Sequence, residues 1–197
     1  MADPGLTDGA VLLRQWRPTD ADWYADAAHD PEIQRYTTES PMLTAAEVRA
    51  AIVALADQTD TVGRVICDAT TGQRLGNIAL RFDATVGEVS YWVAASARGR
   101  GVATRALRLL SEWAFAALGL SEIRLWTHAD NLASRLVAER AGYRRAPDHD
   151  QQRTVKGRVW DTLGYPGRCG SGRPAATGHA LNPHATRCWP VVIVLRR

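Results

Sequence analysis

The sequence predicts an α+β domain: a mixed, mostly antiparallel sheet with helices on both faces. Three observations predict it. Strand-period segments at 62–68, 73–82 and 88–93 follow one another across short turns, which gives successive antiparallel strands. Helix-period segments precede and follow this run. Between the two kinds of pattern, Arg98-Gly99-Arg100-Gly101 carries the chain from a strand directly into a long amphipathic helix.

In chain order, Val11 to Trp16 forms a short strand. Pro18-Thr19-Asp20-Ala21-Asp22 starts a helix, with Thr19 as the expected N-cap and acids in the first turn, ending near His29. Asp30-Pro31-Glu32 starts a short helix, since proline suits the first helical position. Thr44-Ala45-Ala46-Glu47 has the form of a capping box, and its helix extends to about Gln58. The hairpin 62–82 turns at Ala69-Thr70-Thr71-Gly72.

In the next strand Val89, Tyr91 and Val93 alternate with Glu88, Ser90 and Trp92. Helix 102–118 repeats Ala106, Leu107, Leu110, Ala114, Ala117 and Leu118 at helical spacing and stops at Gly119. Ile123, Leu125 and Thr127 alternate in another strand. Asp130 or Asn131 caps a helix over 132–141, closed by Gly142. Tyr143 is expected to open a short strand, and 159–165 the last one. There is no internal repeat.

At 197 residues and 46% hydrophobic, the chain suits one domain with a substantial core. It has no apolar run near 18 residues and no secretory signal pattern, and its three cysteines lack metal-type spacing. A cytoplasmic protein with no membrane partner and no metal is expected. Net charge is +3, but five of the 24 basic residues and none of the 21 acids fall in 166–197, leaving 1–165 slightly acidic. That argues against nucleic acid, the tail being the only basic candidate. The expected organisation is a flexible 1–10, a domain over 11–165 and an atypical Gly/Pro/Arg-rich tail over 166–197, poorly ordered apart from an apolar run at 191–195. The abrupt shift in composition is what a frameshift or read-through would produce.

The glycine turn is the chemical signal. A turn feeding a helix N-terminus presents unpaired N–H groups and the positive end of the helix dipole, which together hold phosphate. Gly99 to Thr104 lacks the Gly-Lys-Ser/Thr ending of a P-loop. A dinucleotide fingerprint fails at Thr104, in the antiparallel strands before the turn, and in the absence of an acid closing the next strand.

Arg98-Gly99-Arg100-Gly101-Val102-Ala103 resembles the Arg/Gln-x-x-Gly-x-Gly/Ala signature of the GNAT superfamily of acyl-CoA N-acyltransferases. Asn131-Leu132-Ala133-Ser134 through Glu139 to Gly142-Tyr143 resembles a segment of its RimJ/RimL type, which acetylates ribosomal-protein N-termini. Leu13 to Asp20 and Asp30-Pro31-Glu32 extend the likeness over roughly 11–165. It implies the GNAT fold, with the sheet splayed at its centre, and acetyl-CoA as co-substrate. The reaction it implies is direct transfer of acetyl to a protein N-terminal α-amine or a small amine. A monomer or homodimer is expected. An acyl-CoA-binding module without turnover is the alternative reading.

The same resemblance assigns residues. Trp92, Val93 and Ala94 fall at the acetyl group, where a strand N–H polarises the thioester carbonyl. Arg98, Gly99, Arg100, Gly101, Val102, Ala103 and Thr104 hold pyrophosphate. Asn131 contacts the CoA arm, and Ser134 protonates the leaving thiolate. Without the resemblance, Asn131 and Ser134 are also ordinary helix-start residues. Tyr143 is the rival acid. Glu88 is the candidate base, with His128 after the following strand as a further one. Acceptor choice is expected to lie in 19–58 and 148–158.

Overall fold

The computed structural model describes residues 5–168. Their eight strands form one sheet in the order β1-β2-β3-β4-β5-β6-β8-β7. The strands are β1 (Leu6–Thr7), β2 (Val11–Gln15), β3 (Thr61–Asp68), β4 (Arg74–Asp83), β5 (Val86–Val93), β6 (Glu122–His128), β7 (Gln151–Val155) and β8 (Arg158–Arg168). Five α-helices accompany them: α1 (Ala21–Ala28), α2 (Pro31–Tyr36), α3 (Ala45–Leu55), α4 (Val102–Ala117) and α5 (Leu132–Arg140). All neighbouring strands pair antiparallel except β5 and β6. The mixed sheet with helices on both faces is therefore as expected.

Each face of the sheet buries its own core. Ile78, Leu80, Val89 and Ile123 pack under Leu107 and Leu110 of α4 and Ala138 of α5. On the other face Val65, Cys67 and Trp92 meet Tyr24 of α1, Ile33 of α2 and Ile52 of α3. Strand alternation sorts the residues of β5 between the two cores, Val89 to one and Trp92 to the other.

The helix starts follow local hydrogen bonding, with one correction. Thr44 and Glu47 make the predicted capping box. Asp30 caps α2 by accepting from the N–H groups of Glu32 and Ile33. Thr19, however, caps nothing: Pro18–Asp20 is a 3₁₀ turn, and the Asp20 carboxylate accepts the Arg17 N–H at 2.9 Å. That carboxylate, 2% exposed, also takes Arg14 at 2.7 Å and Arg74 at 2.9 Å. Burial raises its pKa, but the bonds from Arg14 and Arg17 outweigh this and hold it below the usual carboxylate range.

The end of the domain departs most from expectation. Tyr143 opens no strand. It follows α5 as a buried core residue, and its ring occupies the space that a side chain at Gly167 would need, 2.8 Å from an added Cβ. β7 was not predicted, because Gln-Gln-Arg-Thr-Val is polar and its alternation weak. β8 continues through Pro166. The Pro166 carbonyl accepts the Arg144 N–H, so the missing proline donor lies on the side away from β6. The sheet also starts earlier than expected, at Leu6. The expected disordered tail lies, from residue 169 on, outside the described residues.

Candidate active site

β5 and β6 pair only at Val86–Glu122, Gly87–Ile123 and Glu88–Arg124. Beyond that point the two strands separate. The orientation of β5's backbone follows from its other neighbour. The Ala94 N–H bonds to the Leu75 carbonyl of β4 at 2.8 Å, so by alternation Trp92 also faces β4. Val89, Tyr91 and Val93 therefore turn their backbone groups toward the gap. Ala94, expected at the acetyl group, has no N–H to give there. Val93 does, and its carbonyl accepts Arg98 Nε at 3.3 Å.

The gap widens into a cleft of about 530 Å³. β5 and β6 are its walls, α2 and the following Thr37 and Thr38 close one side, and the starts of α4 and α5 close the other. Gly99 and Gly101 have φ of +72° and +75°, the left-handed region that favours glycine. Nothing lies within 4 Å of where a side chain at either would begin. The first i to i−4 bond of α4 runs from Arg105 to Gly101, so the N–H groups of Val102, Ala103 and Thr104 lack helical partners. These residues line the cleft with Gly99 and Gly101; Arg100 does not. An array of unpaired N–H groups at a helix start, over open space, suits the pyrophosphate of CoA.

Arg98 works sideways. Its guanidinium pairs with Asp30, the α2 cap, and at 3.4 Å with Glu32. It thus ties α2 to the glycine turn. On the opposite wall, Arg35 of α2 bonds Asp130 at 2.7 Å, and Lys156 reaches both the carbonyl and the side chain of Gln34 at 2.7 Å.

Asn131 caps α5, its side-chain oxygen accepting the Ser134 N–H at 3.0 Å. Both residues line the cleft, on the face shared by α4 and α5. Ser134 Oγ lies 2.9 Å from the hydroxyl of Tyr91, a residue that sequence reasoning read only as strand. Burial raises the Tyr91 pKa well above its ordinary value, so the group remains a neutral phenol.

The structure does not bring Tyr143 to this cleft. Its hydroxyl bonds Ser111 Oγ at 2.7 Å inside the core, where burial pushes its pKa up to about 12. Glu88 stands where the gap begins. Its carboxylate accepts from Trp126 Nε1 at 3.1 Å and faces Arg153 at 3.7 Å. His128 is 2% exposed and lines the cleft from β6, among Tyr36, Trp126 and Trp160.

Sequence reasoning also missed Glu39. This carboxyl, 3% exposed, lies behind Trp92 and accepts both the indole N–H at 3.0 Å and the Tyr24 hydroxyl. Burial raises its pKa to about 7. Only a buried position at an acidic residue in a loop could have flagged it, and the sequence contains no sign of that burial.

Residues 10–144 match the family of acetyltransferase (GNAT) domains. No protein of curated function matches the sequence. Among solved structures, ribosomal-protein-S5-alanine acetyltransferase from Vibrio fischeri superposes with a TM-score of 0.74 at 17% identity, covering 87% of this chain and 100% of that one. Spermidine N-acetyltransferase from Vibrio cholerae, in complex with CoA and spermine, gives 0.72 at 17% identity over 82% and 96%. Mycobacterium smegmatis RimJ with CoA-disulfide gives 0.72 at 22% identity over 84% and 86%. At these identities the likeness is one of fold.

Proposed function

The chain belongs to the GNAT acetyltransferase family and uses acetyl-CoA as co-substrate, and from that premise we propose that it acetylates the α-amine of a peptide or protein N-terminus. One observation carries the reading: the open edge of β5 beside the left-handed glycine turn of α4, in a single cleft. Pyrophosphate sits on the N–H groups of Val102, Ala103 and Thr104, with Gly99 and Gly101 allowing its approach. The pantetheine arm runs into the gap and pairs with β5. There the Val93 N–H polarises the thioester carbonyl, a contribution of several kcal/mol in enzymes that use it. Asn131 orders the start of α5 along the arm. Ser134, backed by Tyr91, protonates the leaving sulfur.

The charge around the acceptor side favours a peptide over a polyamine. Arg35, Arg153 and Arg158 stack on Tyr36, Trp126 and Trp160 at 4.6–4.9 Å. Asp130 and Glu88, the acids beside them, already face Arg35 and Arg153. A polycation would meet this basic rim. A single α-amine, with a pKa near 8, needs only one proton removed. The segment Asn131 to Tyr143 supports assignment to the RimJ/RimL type.

The test is thiol release from acetyl-CoA with peptides beginning in Ser, Ala or Met, and with spermidine and other small amines. Release with at least one peptide and weaker release with spermidine are expected. Tight acetyl-CoA binding without release on any acceptor would overturn the reading.

A further inference from the structure

We propose that His128 is the general base that deprotonates the acceptor amine. The inference rests on the acetyl-transfer reading above and deepens it.

Continuing the β5–β6 register past Glu88–Arg124 sets His128 opposite Trp92, beside Val93. The strands have parted there, so the space between them belongs to the cleft that His128 lines. On β6, Ile123 and Leu125 enter the core under α4 and α5, the face of Ser134 and Tyr91. Alternation sends Trp126 and His128 to the other face, where Tyr36 of α2 packs on the imidazole at 5.5 Å. Ser134 and His128 thus flank the gap from opposite faces. That arrangement lets a base meet the amine as it adds to one face of the planar thioester carbonyl while a separate acid meets the sulfur.

The imidazole also has unsatisfied hydrogen-bonding capacity. Neither ring nitrogen of His128 has a hydrogen-bond partner among the described residues, although the side chain is buried. A buried polar group without a partner is costly. An acceptor amine, directly or through one water, satisfies it. Glu88, by contrast, already engages Trp126 and Arg153.

The charges near the imidazole fit the role. Burial keeps its pKa below the ordinary 6.5, so the ring is neutral and able to take a proton at pH 7. Asp130 opposes that shift, Arg35 of α2 reinforces it, and the two pair with each other. On the strands around it, Glu88 and Arg153 face each other, Arg158 covers Trp160, and Asp161 accepts from Gln152.

His128 takes one proton from the ammonium and releases it to solvent. The neutral amine attacks the thioester carbon, forming C–N. His128 takes the second N–H proton as the intermediate collapses and C–S breaks, and releases that proton to solvent as well. Ser134 gives the thiolate its proton and regains one from solvent, relayed by Tyr91.

The experiment compares wild type, H128Q and H128F in thiol release with acetyl-CoA and the best peptide of the Ser, Ala and Met panel, from pH 6.5 to 9.5. Both variants should lose roughly 10- to 100-fold in kcat/KM at pH 7. The loss should shrink toward wild type near pH 9, where an α-amine is already neutral. Acetyl-CoA affinity and thermal midpoint should remain near wild type. A loss equal at every pH, or no loss, overturns the assignment and leaves His128 as aromatic packing. Rescue at pH 9 in E88Q but not in H128Q transfers the role to Glu88. If wild type itself releases no thiol on any peptide, the failure lies with the acetyl-transfer reading, and the base assignment falls with it.

Discussion

The hydroxyls of Tyr91 and Ser134 stand 2.9 Å apart and join the open edge of β5 to the first turn of α5. In the proposed mechanism Tyr91 relays a solvent proton to Ser134 as Ser134 gives its own to sulfur. Ser134→Ala should lower kcat roughly 10- to 100-fold while leaving acetyl-CoA affinity within about twofold, because the contact matters only as the thiolate forms. Tyr91→Phe should lower kcat by a smaller factor without raising KM. Thiol-release kinetics paired with calorimetric acetyl-CoA titration measure both. Equal loss of affinity and turnover in S134A would make the residue structural.

Gly101 tests the cofactor site in two steps. Gly101→Ala adds a methyl into open space but at φ +75°, so it should cost about 1–2 kcal/mol of stability and retain acetyl-CoA. Gly101→Asp adds a negative charge at the helix start, where the pyrophosphate is placed. It should abolish the thermal stabilisation that acetyl-CoA produces. A folded G101D protein that acetyl-CoA stabilises as it does wild type would refute that placement.

Arg98 links the two sides of the reaction, since it holds the Val93 carbonyl and the α2 cap together. The pairs are partly exposed, so Arg98→Met should cost only roughly 1 kcal/mol of global stability. The local effect should be larger: faster amide exchange across Gln34 to Thr37 and a raised acceptor KM. Unchanged exchange in this segment would show that α2 is held by Arg35, Tyr36 and Lys156 alone.

Glu39 makes stability depend on pH. Its folded pKa, about 7, lies above the ordinary 4.5 because burial disfavours the charged form. The folded state therefore binds the proton more tightly, and this contribution is complete below pH 4.5. It is lost as pH rises toward 7, a change on the order of 3 kcal/mol. Glu39→Gln keeps an acceptor for Trp92 and Tyr24 and removes the titration. Urea midpoints between pH 4.5 and 7.5 should then vary less in E39Q than in wild type. Parallel profiles would mean that Glu39 is already neutral or already compensated across that range.

Much of this was legible before the fold. The glycine turn, the α3 capping box, the Asp30-Pro31 start of α2 and the Asn131 cap each depend on neighbours within a few residues, and the sequence contains all of those neighbours. The period of Val89, Tyr91 and Val93 identified β5 for the same reason. Where local cues were weak, prediction failed: the polar β7, the short β1 and the 3₁₀ turn capped through Asp20.

The sequence by itself determined the fold class, the glycine turn into α4 and the family, since these rest on periodicity and short-range backbone requirements. The tertiary structure alone decided which groups share the cleft. Tyr143 and Ser134 lie nine residues apart in the chain, yet one hydroxyl points into the core and the other into the gap. Glu39 and Trp92, or His128 and Tyr36, meet only because α2 folds back across the parted strands. Burial and partnership of this kind depend on residues distant in sequence, and they set which carboxyl is held by partners, which imidazole lacks them among the described residues, and which strand N–H groups face the gap.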